Sequence, residues 1–340
     1  MKIKKTMTAV IASLLIFTAT AFAGGNETQK MIEISDNAKY DSKKIIAIQW
    51  GTAENQVGRR SEEEAKQDFI SPGSFFETKN KMYILDTPND RISIFSKSGK
   101  LEKSVKLPAG SEKSPALYTD IAVLNDGTIL AANSREKTVY KITPGDKIEK
   151  ISPKHNIQMI THICVSDASN ILLEDPMSGK NFIIDLNGNL LNPAPLELQP
   201  ALLSGGKMIK LNPEPISETA EIKAQKHFNV NVEVFEQFGQ KSTRKFVFQT
   251  PEPAQNLIFL GEETSGVYLI YAVMGANGDM PDKACVMAVS EKDGKVLKSI
   301  KMPISPEMSV MRYVRLSHDR KSVLFCSSTE SEYVINEYKF

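Results

Sequence analysis

The sequence is poor in the residues from which metal centres and nucleophilic catalytic centres are usually built. Its 340 residues include only 4 His and 3 Cys. No spacing among the cysteines resembles a zinc or redox motif. The Gly-x-Ser-x-Gly motif, which places a nucleophilic serine on a sharp turn, is absent. Without a recognisable catalytic motif, function has to be inferred from the fold and from the polar residues that the fold brings together.

The chain also lacks an excess of charge of either sign. It has 42 Lys and Arg against 41 Asp and Glu, which gives a formal net charge of +1. A nearly neutral chain has no electrostatic basis for binding nucleic acid or an anionic membrane surface, so we expect neither as a partner. Hydrophobic residues make up 41% of the sequence, which excludes a disordered chain.

The three cysteines are an odd number, so at least one of them has no partner within the chain. Cys164, Cys285 and Cys326 each lie in an apolar run that reads as a strand. Two interpretations follow. The cysteines can be small buried hydrophobic residues, which is common for free Cys, or Cys285 and Cys326 can form a disulfide bridge.

The N-terminus carries the pattern of a secretory signal peptide. Three lysines within the first five residues precede an apolar run at 7–19, and Ala21-Phe22-Ala23 supplies the small residues that a signal peptidase requires. The run is too short for a comfortable membrane span. We therefore predict a signal peptide at 1–23, an N-terminal extension at 24–43, no stable membrane span, and a periplasmic or extracellular mature protein. An uncleaved N-terminal anchor is the alternative.

A repeat organises most of the remaining chain. Residues 82–101 align without gaps on 171–190, and 129–146 form a copy between them, at offsets of 47 and 42 residues. Each copy reads as strand, polar turn, strand, turn and strand, and a fourth strand precedes the second and third copies. Four short antiparallel strands in a repeat of about 40–50 residues are the signature of a propeller blade. The weakest copy, 201–250, contains a predicted Pro-bearing insertion at 211–215.

The number of blades follows from the length of the repeat. The roughly 270 residues from Phe69 onward, divided by a repeat of about 47, give just under six copies. The last copy ends at Phe340, one strand short, and a spare strand at 44–50 could complete it and remove two open sheet edges. We therefore predict an all-β fold, a six-bladed β-propeller at 44–340. It would have four-stranded antiparallel blades and be closed by the N-terminal strand; seven or five blades are the alternatives.

Three segments resemble the NHL-repeat group of β-propellers. Residues 50–58 and 69–72 supply the glycine-and-glutamine lead-in of that family, and 82–92 supply its strand-Asp-x-x-Asn-x-Arg-Ile core. Two departures weaken the pattern in later copies: Asn133 replaces the Asp of the second copy, and Lys180 replaces the Arg of the third. The resemblance implies a propeller fold. It also implies a function drawn from ligand-binding and scaffolding modules, or from the minority of lyases and lactonases.

The lyases and lactonases that this resemblance implies would need side chains that bind a metal ion. Amidating lyases of this general type hold zinc through several histidines, and the chain offers only four: His155, His162, His227 and His318. These are too few in the channel for a zinc site with three histidines. Lactonase-like propellers use carboxylates and Asn around calcium. Asp120, Asn256 and Glu262 could serve in that way, but no spacing supports it.

Candidate binding residues lie where the innermost strands of a propeller line its central channel. Alignment of these strands predicts equivalent positions for Asp120, His162 and Tyr313, with Arg312 one residue before Tyr313. Such polar groups could hold a metal or polarise a carbonyl, or simply line a solvated channel. Tyr118 and Tyr313 could contact a ligand at the channel mouth or pack between blades.

These observations favour a binding protein over an enzyme. The leading prediction is an exported, monomeric, non-enzymatic propeller that recognises a protein, peptide or glycan at one face and needs no cofactor. It assigns binding at the channel mouth to Tyr118, Asp120, His162, Arg312 and Tyr313. The alternative is a metal-dependent lyase or lactone hydrolase at the same mouth, with His162 and Asp120 as ligand or base and calcium or zinc as the ion.

Overall fold

The computed structural model describes residues 42–61, 63, 70–111, 114–166, 169–191, 196–197, 200–202, 207–214, 227–236, 241–264, 266–275, 281, 283–304 and 310–340. All of them belong to one compact unit, Met31–Phe340. The predicted signal peptide at 1–23 lies outside the described residues, as does the predicted extension up to residue 41. Within the described ranges, no helix is long and apolar enough to cross a membrane.

The strands form six four-stranded antiparallel sheets and one short hairpin. The first strand is β1 (Ser42–Gln49). Blade 1 consists of β2 (Ser74–Glu77), β3 (Lys81–Asp86), β4 (Arg91–Ser96) and β5 (Leu101–Lys106), with a 3-10 helix at Thr87–Asn89. A hairpin of β6 (Gly110–Ser111) and β7 (Ser114–Pro115) leads to blade 2, which consists of β8 (Tyr118–Val123), β9 (Ile129–Asn133), β10 (Thr138–Ile142) and β11 (Ile148–Ile151).

The remaining blades follow in chain order. Blade 3 consists of β12 (His162–Val165), β13 (Ile171–Asp175), β14 (Lys180–Ile184) and β15 (Leu196–Glu197). Blade 4 consists of β16 (Pro200–Leu202), β17 (Met208–Pro213), β18 (Phe228–Glu236) and β19 (Lys241–Thr250). Blade 5 consists of β20 (Ala254–Thr264), β21 (Val267–Met274), β22 (Lys283–Ser290) and β23 (Val296–Lys301). Blade 6 contains β24 (Val314–Leu316), β25 (Ser322–Ser328) and β26 (Glu332–Lys339).

The pattern of burial explains why these segments form blades. Each blade is covered on both faces by its neighbours, so its inner strands read as continuous apolar runs rather than alternating ones. All six residues of β8 are buried, whereas the fourth strand of blade 5, β23, has no fully buried residue. The first strands of neighbouring blades contact each other, β2 with β8, β8 with β12, β12 with β16, and β20 with β24. These strands surround the central channel, and the predicted six-bladed propeller is confirmed.

The ring is closed as predicted, by an N-terminal strand that completes blade 6. β1 pairs antiparallel with β26, from Ser42 opposite Tyr338 to Gln49 opposite Glu332. It begins two residues before the predicted start of the domain at 44. Ile46 and Ile48 are buried in the core shared by blades 5, 6 and 1. Because β26 would otherwise be an open sheet edge, β1 stabilises the whole ring.

The family-like core of blade 1 has a structural role. The buried Asp86 carboxylate accepts hydrogen bonds from Gly58 N, Asn89 Nδ2 and Arg91 Nε, each at 2.8 Å. A Cβ added at Gly58 would lie 2.6 Å from Pro88 Cβ, so the lead-in segment can approach only as glycine.

The departures from this core in later blades keep part of its function. In blade 2, Asn133 Oδ1 accepts from the backbone N of Leu117 and of Glu136. In blade 3, Asp175 accepts from the backbone N of Gln158 and of Met159. The position therefore requires a side-chain oxygen that ties the entering segment to the blade, and Asn satisfies this where no Arg is present.

Two other expectations are changed by the structure. The predicted insertion at 211–215 begins as strand, because β17 runs to Pro213 and pairs with β18; residues 215–226 lie outside the described residues. The disulfide alternative is wrong: Cys285 and Cys326 are free and fully buried. Burial raises the pKa of both thiols to about 12. Cys164 is also free, but it is partly exposed.

Candidate functional site

The polar residues of the channel lie on consecutive first strands at one register. In blades 1, 2 and 3 the first strand carries one such residue, and it pairs with the residue just before the Asp or Asn that ends the second strand. The pairs are Ser74 with Leu85, Asp120 with Ala132, and His162 with Glu174. The alignment that made Asp120 and His162 equivalent is therefore correct. It also applies to Ser74 of blade 1, which the sequence analysis missed.

Asp120 lies at the centre of this group and is fully buried. Its two carboxylate oxygens have five partners. Oδ1 accepts hydrogen bonds from Ser74 Oγ (2.5 Å), Ile121 N (2.9 Å) and Arg315 Nη2 (2.6 Å); Oδ2 accepts one from Ile163 N (3.0 Å) and forms an ion pair with Arg312 Nε at 2.9 Å without hydrogen-bond geometry. These partners come from blades 1, 2, 3 and 6, so one carboxylate connects four blades across the channel.

The charges of this group determine its protonation. Burial favours neutral Asp120, but the guanidinium groups of Arg312 and Arg315 outweigh it and hold the pKa of the carboxyl below its usual range. Burial also opposes the charge of Arg312, yet the Asp120 carboxylate raises the pKa of that guanidinium. Burial lowers the pKa of Arg315 to about 10. All three groups are therefore ionised at neutral pH.

His162 is held at both ring nitrogens. Nδ1 contacts Glu174 Oε2, and Nε2 lies 3.0 Å from the carbonyl oxygen of Met311. Burial favours neutral Glu174, but the hydrogen bond and charge of His162, with a contribution from Arg312, lower the pKa of the carboxyl. We name Asp120, His162, Glu174, Arg312 and Arg315 the channel cluster.

A cavity of about 170 Å³ adjoins the channel cluster. It lies between the first strands of blades 5, 6 and 1, and its lining comprises Phe76, Glu77, Phe259, Leu260, Arg312, Val314, Arg315 and Leu316. The two arginines thus face Asp120 and also border open space. Glu77, the acidic residue of the lining, already contacts Lys97 Nζ and accepts from His318 N at 2.6 Å.

The two tyrosines predicted at the mouth are buried, so the alternative of packing between blades describes their position. Tyr118 donates to Pro108 O and packs against Tyr140. Tyr313 packs edge-on against Tyr271 and Phe325. Neither belongs to the channel cluster. Their contact with a ligand stays a prediction.

The metal candidates suggested by family resemblance do not come together. Within the part of the chain that the structure describes, no group of three or more His, Cys, Asp or Glu side chains is placed to hold a metal ion. Glu262 instead accepts from Gly266 N at 2.7 Å inside its own hairpin, and Asn256 is exposed on β20. The Asp120 carboxylate is already engaged by four hydrogen bonds and by the charges of two guanidinium groups.

The Glu174–His162 contact predicts acid sensitivity. The folded-state pKa of Glu174 lies below its ordinary value of 4.5, so its stabilising effect is full above that value and is lost as the pH falls through the folded pKa. We expect Glu174→Gln to lower the free energy of unfolding by about 1.5–3 kcal/mol at pH 7. The difference from the wild-type protein should shrink below about pH 4. Urea unfolding over this pH range measures it, and a difference independent of pH would contradict the assignment.

Comparison with known proteins shows the fold. No family model matches the chain, and no curated protein matches it. Among solved structures, a hydrazine synthase of Kuenenia stuttgartiensis is similar at 11% identity and a TM-score of 0.51, over 76% of this chain and 74% of that one. A catalytically inactive virginiamycin B lyase from Staphylococcus aureus with quinupristin matches at 13% identity and a TM-score of 0.46, over 79% and 84%. A luciferin-regenerating enzyme matches at 11% identity and 0.48, over 80% and 94%. At these identities the comparisons show a β-propeller and assign no activity to it.

Proposed function

We propose that this chain is an exported, NHL-repeat-like propeller that binds a protein, peptide or glycan at the mouth of its central channel without chemistry. The observation that carries this proposal is the saturation of the channel cluster. A general base needs a free acceptor within reach of the substrate proton. Asp120 already has five partners, and both ring nitrogens of His162 are engaged. Such a cluster supports a rigid binding face better than a reaction centre.

The cavity beside the channel cluster supports the location. It combines two arginines and Glu77 with five apolar side chains, and binding sites are typically concave and provided with a few polar groups. Apart from Arg312, which precedes β24, its walls belong to first strands of three blades, which are fixed by the closed ring. A ligand would therefore meet a preformed surface, and the chain would act as a monomer.

A cavity-filling variant tests this proposal. Leu260 lines the cavity from β20, and Leu297 is an exposed residue on β23 of the same blade. We expect binders selected from displayed peptide libraries and glycan arrays to lose affinity about tenfold or more with Leu260→Trp, because the indole occupies the space of the ligand. Leu297→Trp, the matched control, should bind as the wild-type protein does. Binders that are unaffected by Leu260→Trp would place recognition elsewhere.

The alternative function is a metal-dependent lyase or lactone hydrolase that uses His162 and Asp120. Elemental analysis of protein purified without chelator addresses it directly. Stoichiometric calcium or zinc, together with turnover of a lactone or a hydroxyglycine peptide that is lost in His162→Ala, would overturn the binding proposal. In that case Asp120 would have to give up an arginine partner before it could serve as ligand or base.

A further inference from the structure

The contacts of His162 fix how many protons the channel cluster holds. The carbonyl oxygen of Met311 can only accept, so His162 Nε2 carries a proton and donates it. Nδ1 faces a carboxylate oxygen of Glu174, and this contact also requires a proton. Because the lowered pKa of Glu174 keeps its carboxyl ionised, this proton offsets the carboxylate charge, and the His162–Glu174 pair is neutral as a unit.

The channel cluster therefore has a positive charge in excess. With the His162–Glu174 pair neutral, Arg312 and Arg315 share the single carboxylate of Asp120. Beyond them, Cys164 Sγ accepts from Arg312 Nη2 at 3.7 Å. A buried charge without a counterion is unfavourable, so this arrangement favours an anionic group that enters from the adjoining cavity.

Arg315 has a hydrogen-bond donor that the contacts within the channel cluster do not use. Its Nη2 serves Asp120 Oδ1 (2.6 Å), Ile121 O (2.9 Å) and Ser74 Oγ (3.2 Å). Its Nε is buried and has no hydrogen-bond partner among the described residues. A carboxylate that enters the cavity can accept a charge-assisted hydrogen bond from a guanidinium N–H, which is shorter and stronger than a neutral one. The Arg315 side chain thus lines the cavity, is charged, and has one buried N–H without a hydrogen-bond partner among the described residues.

Apart from Glu77, which is paired with Lys97 and accepts from His318 N, the remaining lining residues are apolar and suit an apolar body for the anion. Phe76, Phe259, Leu260 and Leu316 line the cavity, and the Arg315 guanidinium lies 5.0 Å from the centroid of the Phe76 ring. A cavity of about 150 Å³ with apolar walls holds a molecule of the size of benzene. The volume of about 170 Å³ found here therefore fits one ring or one branched aliphatic group.

We propose that this cavity recognises a carboxylate attached to a single aromatic or branched aliphatic group, with the carboxylate on Arg315. This inference rests on the proposed function and names the chemistry of its ligand. Two sources share that chemistry: a free small carboxylic acid, and the C-terminal residue of a peptide. In both, the apolar group would fill the space between β20, β24 and β2.

Paired acid and amide probes test the charge requirement by isothermal titration calorimetry. Benzoate against benzamide represents the free acid, and N-acetylphenylalanine against its amide represents a peptide C-terminus. We expect at least one acid to bind about tenfold or more tightly than its amide, the difference that a hydrogen-bonded charge supplies. The pair with the larger difference identifies the source. Equal binding of acid and amide, or no binding of either acid, would overturn the inference.

A charge-specific pair of variants provides a second test that avoids the structural arginines. Leu260→Glu places a competing carboxylate on the cavity wall, and Leu260→Gln is nearly the same size without the charge. We expect the acid probe to bind about tenfold more weakly to the Glu variant than to the Gln variant, and equal affinities would contradict the proposal. If amides bind as well as acids and Leu260→Trp removes both, the proposed function stands and the carboxylate inference fails. If library binders ignore Leu260→Trp, the proposed function itself fails.

Discussion

The Asp120→Ala variant is expected to be less stable than the wild-type protein by about 3–5 kcal/mol, the loss typical when one partner of a buried ion pair is removed. The substitution leaves the guanidinium groups of Arg312 and Arg315 facing each other without their shared carboxylate. It also removes the acceptor of Ser74 Oγ and of Ile163 N. Urea unfolding, followed by circular dichroism and by the fluorescence of the single tryptophan, Trp50, measures the loss.

Two control variants distinguish loss of the Asp120 carboxylate from loss of a neutral hydrogen-bond donor and from loss of a surface ion pair. Ser74→Ala removes one neutral donor to Asp120 and should reduce stability by only about 1 kcal/mol. Glu102→Ala removes a carboxylate that pairs with Lys81 at 3.2 Å on the surface, and exposed pairs of this kind contribute about 0–1 kcal/mol. A loss in Asp120→Ala no greater than in Glu102→Ala would show that the channel arginines find other partners. The charge accounting for the cavity would then be wrong.

The sequence was sufficient to predict the parts of the site that repeat. Asp120 and His162 occupy the same position in consecutive copies, and the strand–turn–strand pattern placed them correctly on first strands. The same register extends to Ser74 and to Glu174, which lies directly opposite His162. Ser74 could have been found by extending the alignment to the first strand of blade 1, and Glu174 by extending it to the second strand of blade 3.

The contacts of the arginines of blade 6 could not be predicted from the repeat. Arg315 lies on a strand of three residues, β24, in the copy that is completed by a strand from the other end of the chain. Its partner Asp120 is 195 residues away, and no spacing in the sequence indicates that the two meet. The contact depends on how the closing ring brings blade 6 against blades 1 and 2, which is a property of tertiary packing.

The tyrosines were ambiguous for a different reason. An aromatic residue next to a first strand can point into the channel or into the space between blades, and composition does not distinguish these directions. Tyr118 and Tyr313 both pack between blades: Pro108 O, in the connection from blade 1, accepts from the Tyr118 hydroxyl, and Tyr271 of blade 5 and Phe325 of blade 6 flank Tyr313. Large aromatic side chains fill the space between sheets well, and the polar cluster occupies the channel instead.

The second large effect is expected at the closure of the ring. Ile48 of β1 is 3% exposed and packs in the core shared by blades 5, 6 and 1. Truncation of such a residue costs about 2–5 kcal/mol, and a carboxylate in the same place adds a desolvation penalty. We therefore expect Ile48→Asp to lower the free energy of unfolding by about 5 kcal/mol or more. That is a large part of the total for a typical domain.

The consequences of Ile48→Asp should extend beyond stability, because β1 covers the edge of β26. A detached β1 leaves an unpaired strand edge, and such edges pair with other chains. Size-exclusion chromatography should therefore show dimers or larger species. The environment of Trp50 should change as well, since its Nε1 donates to Thr329 O at 3.0 Å and its ring packs edge-on against Tyr333.

Ala47→Asp is the matched control for this experiment, because it places the same charge one residue away on the exposed face of β1. It should remain monomeric and retain nearly the wild-type stability, since surface substitutions usually change stability by about 0.5 kcal/mol or less. Equal behaviour of the two variants would mean that β1 does not contribute its buried face to the ring. If only Ile48→Asp loses stability and associates, the buried face of β1 contributes to closure of the ring, and through it to the position of blade 6. Loss of carboxylate binding should then accompany loss of closure.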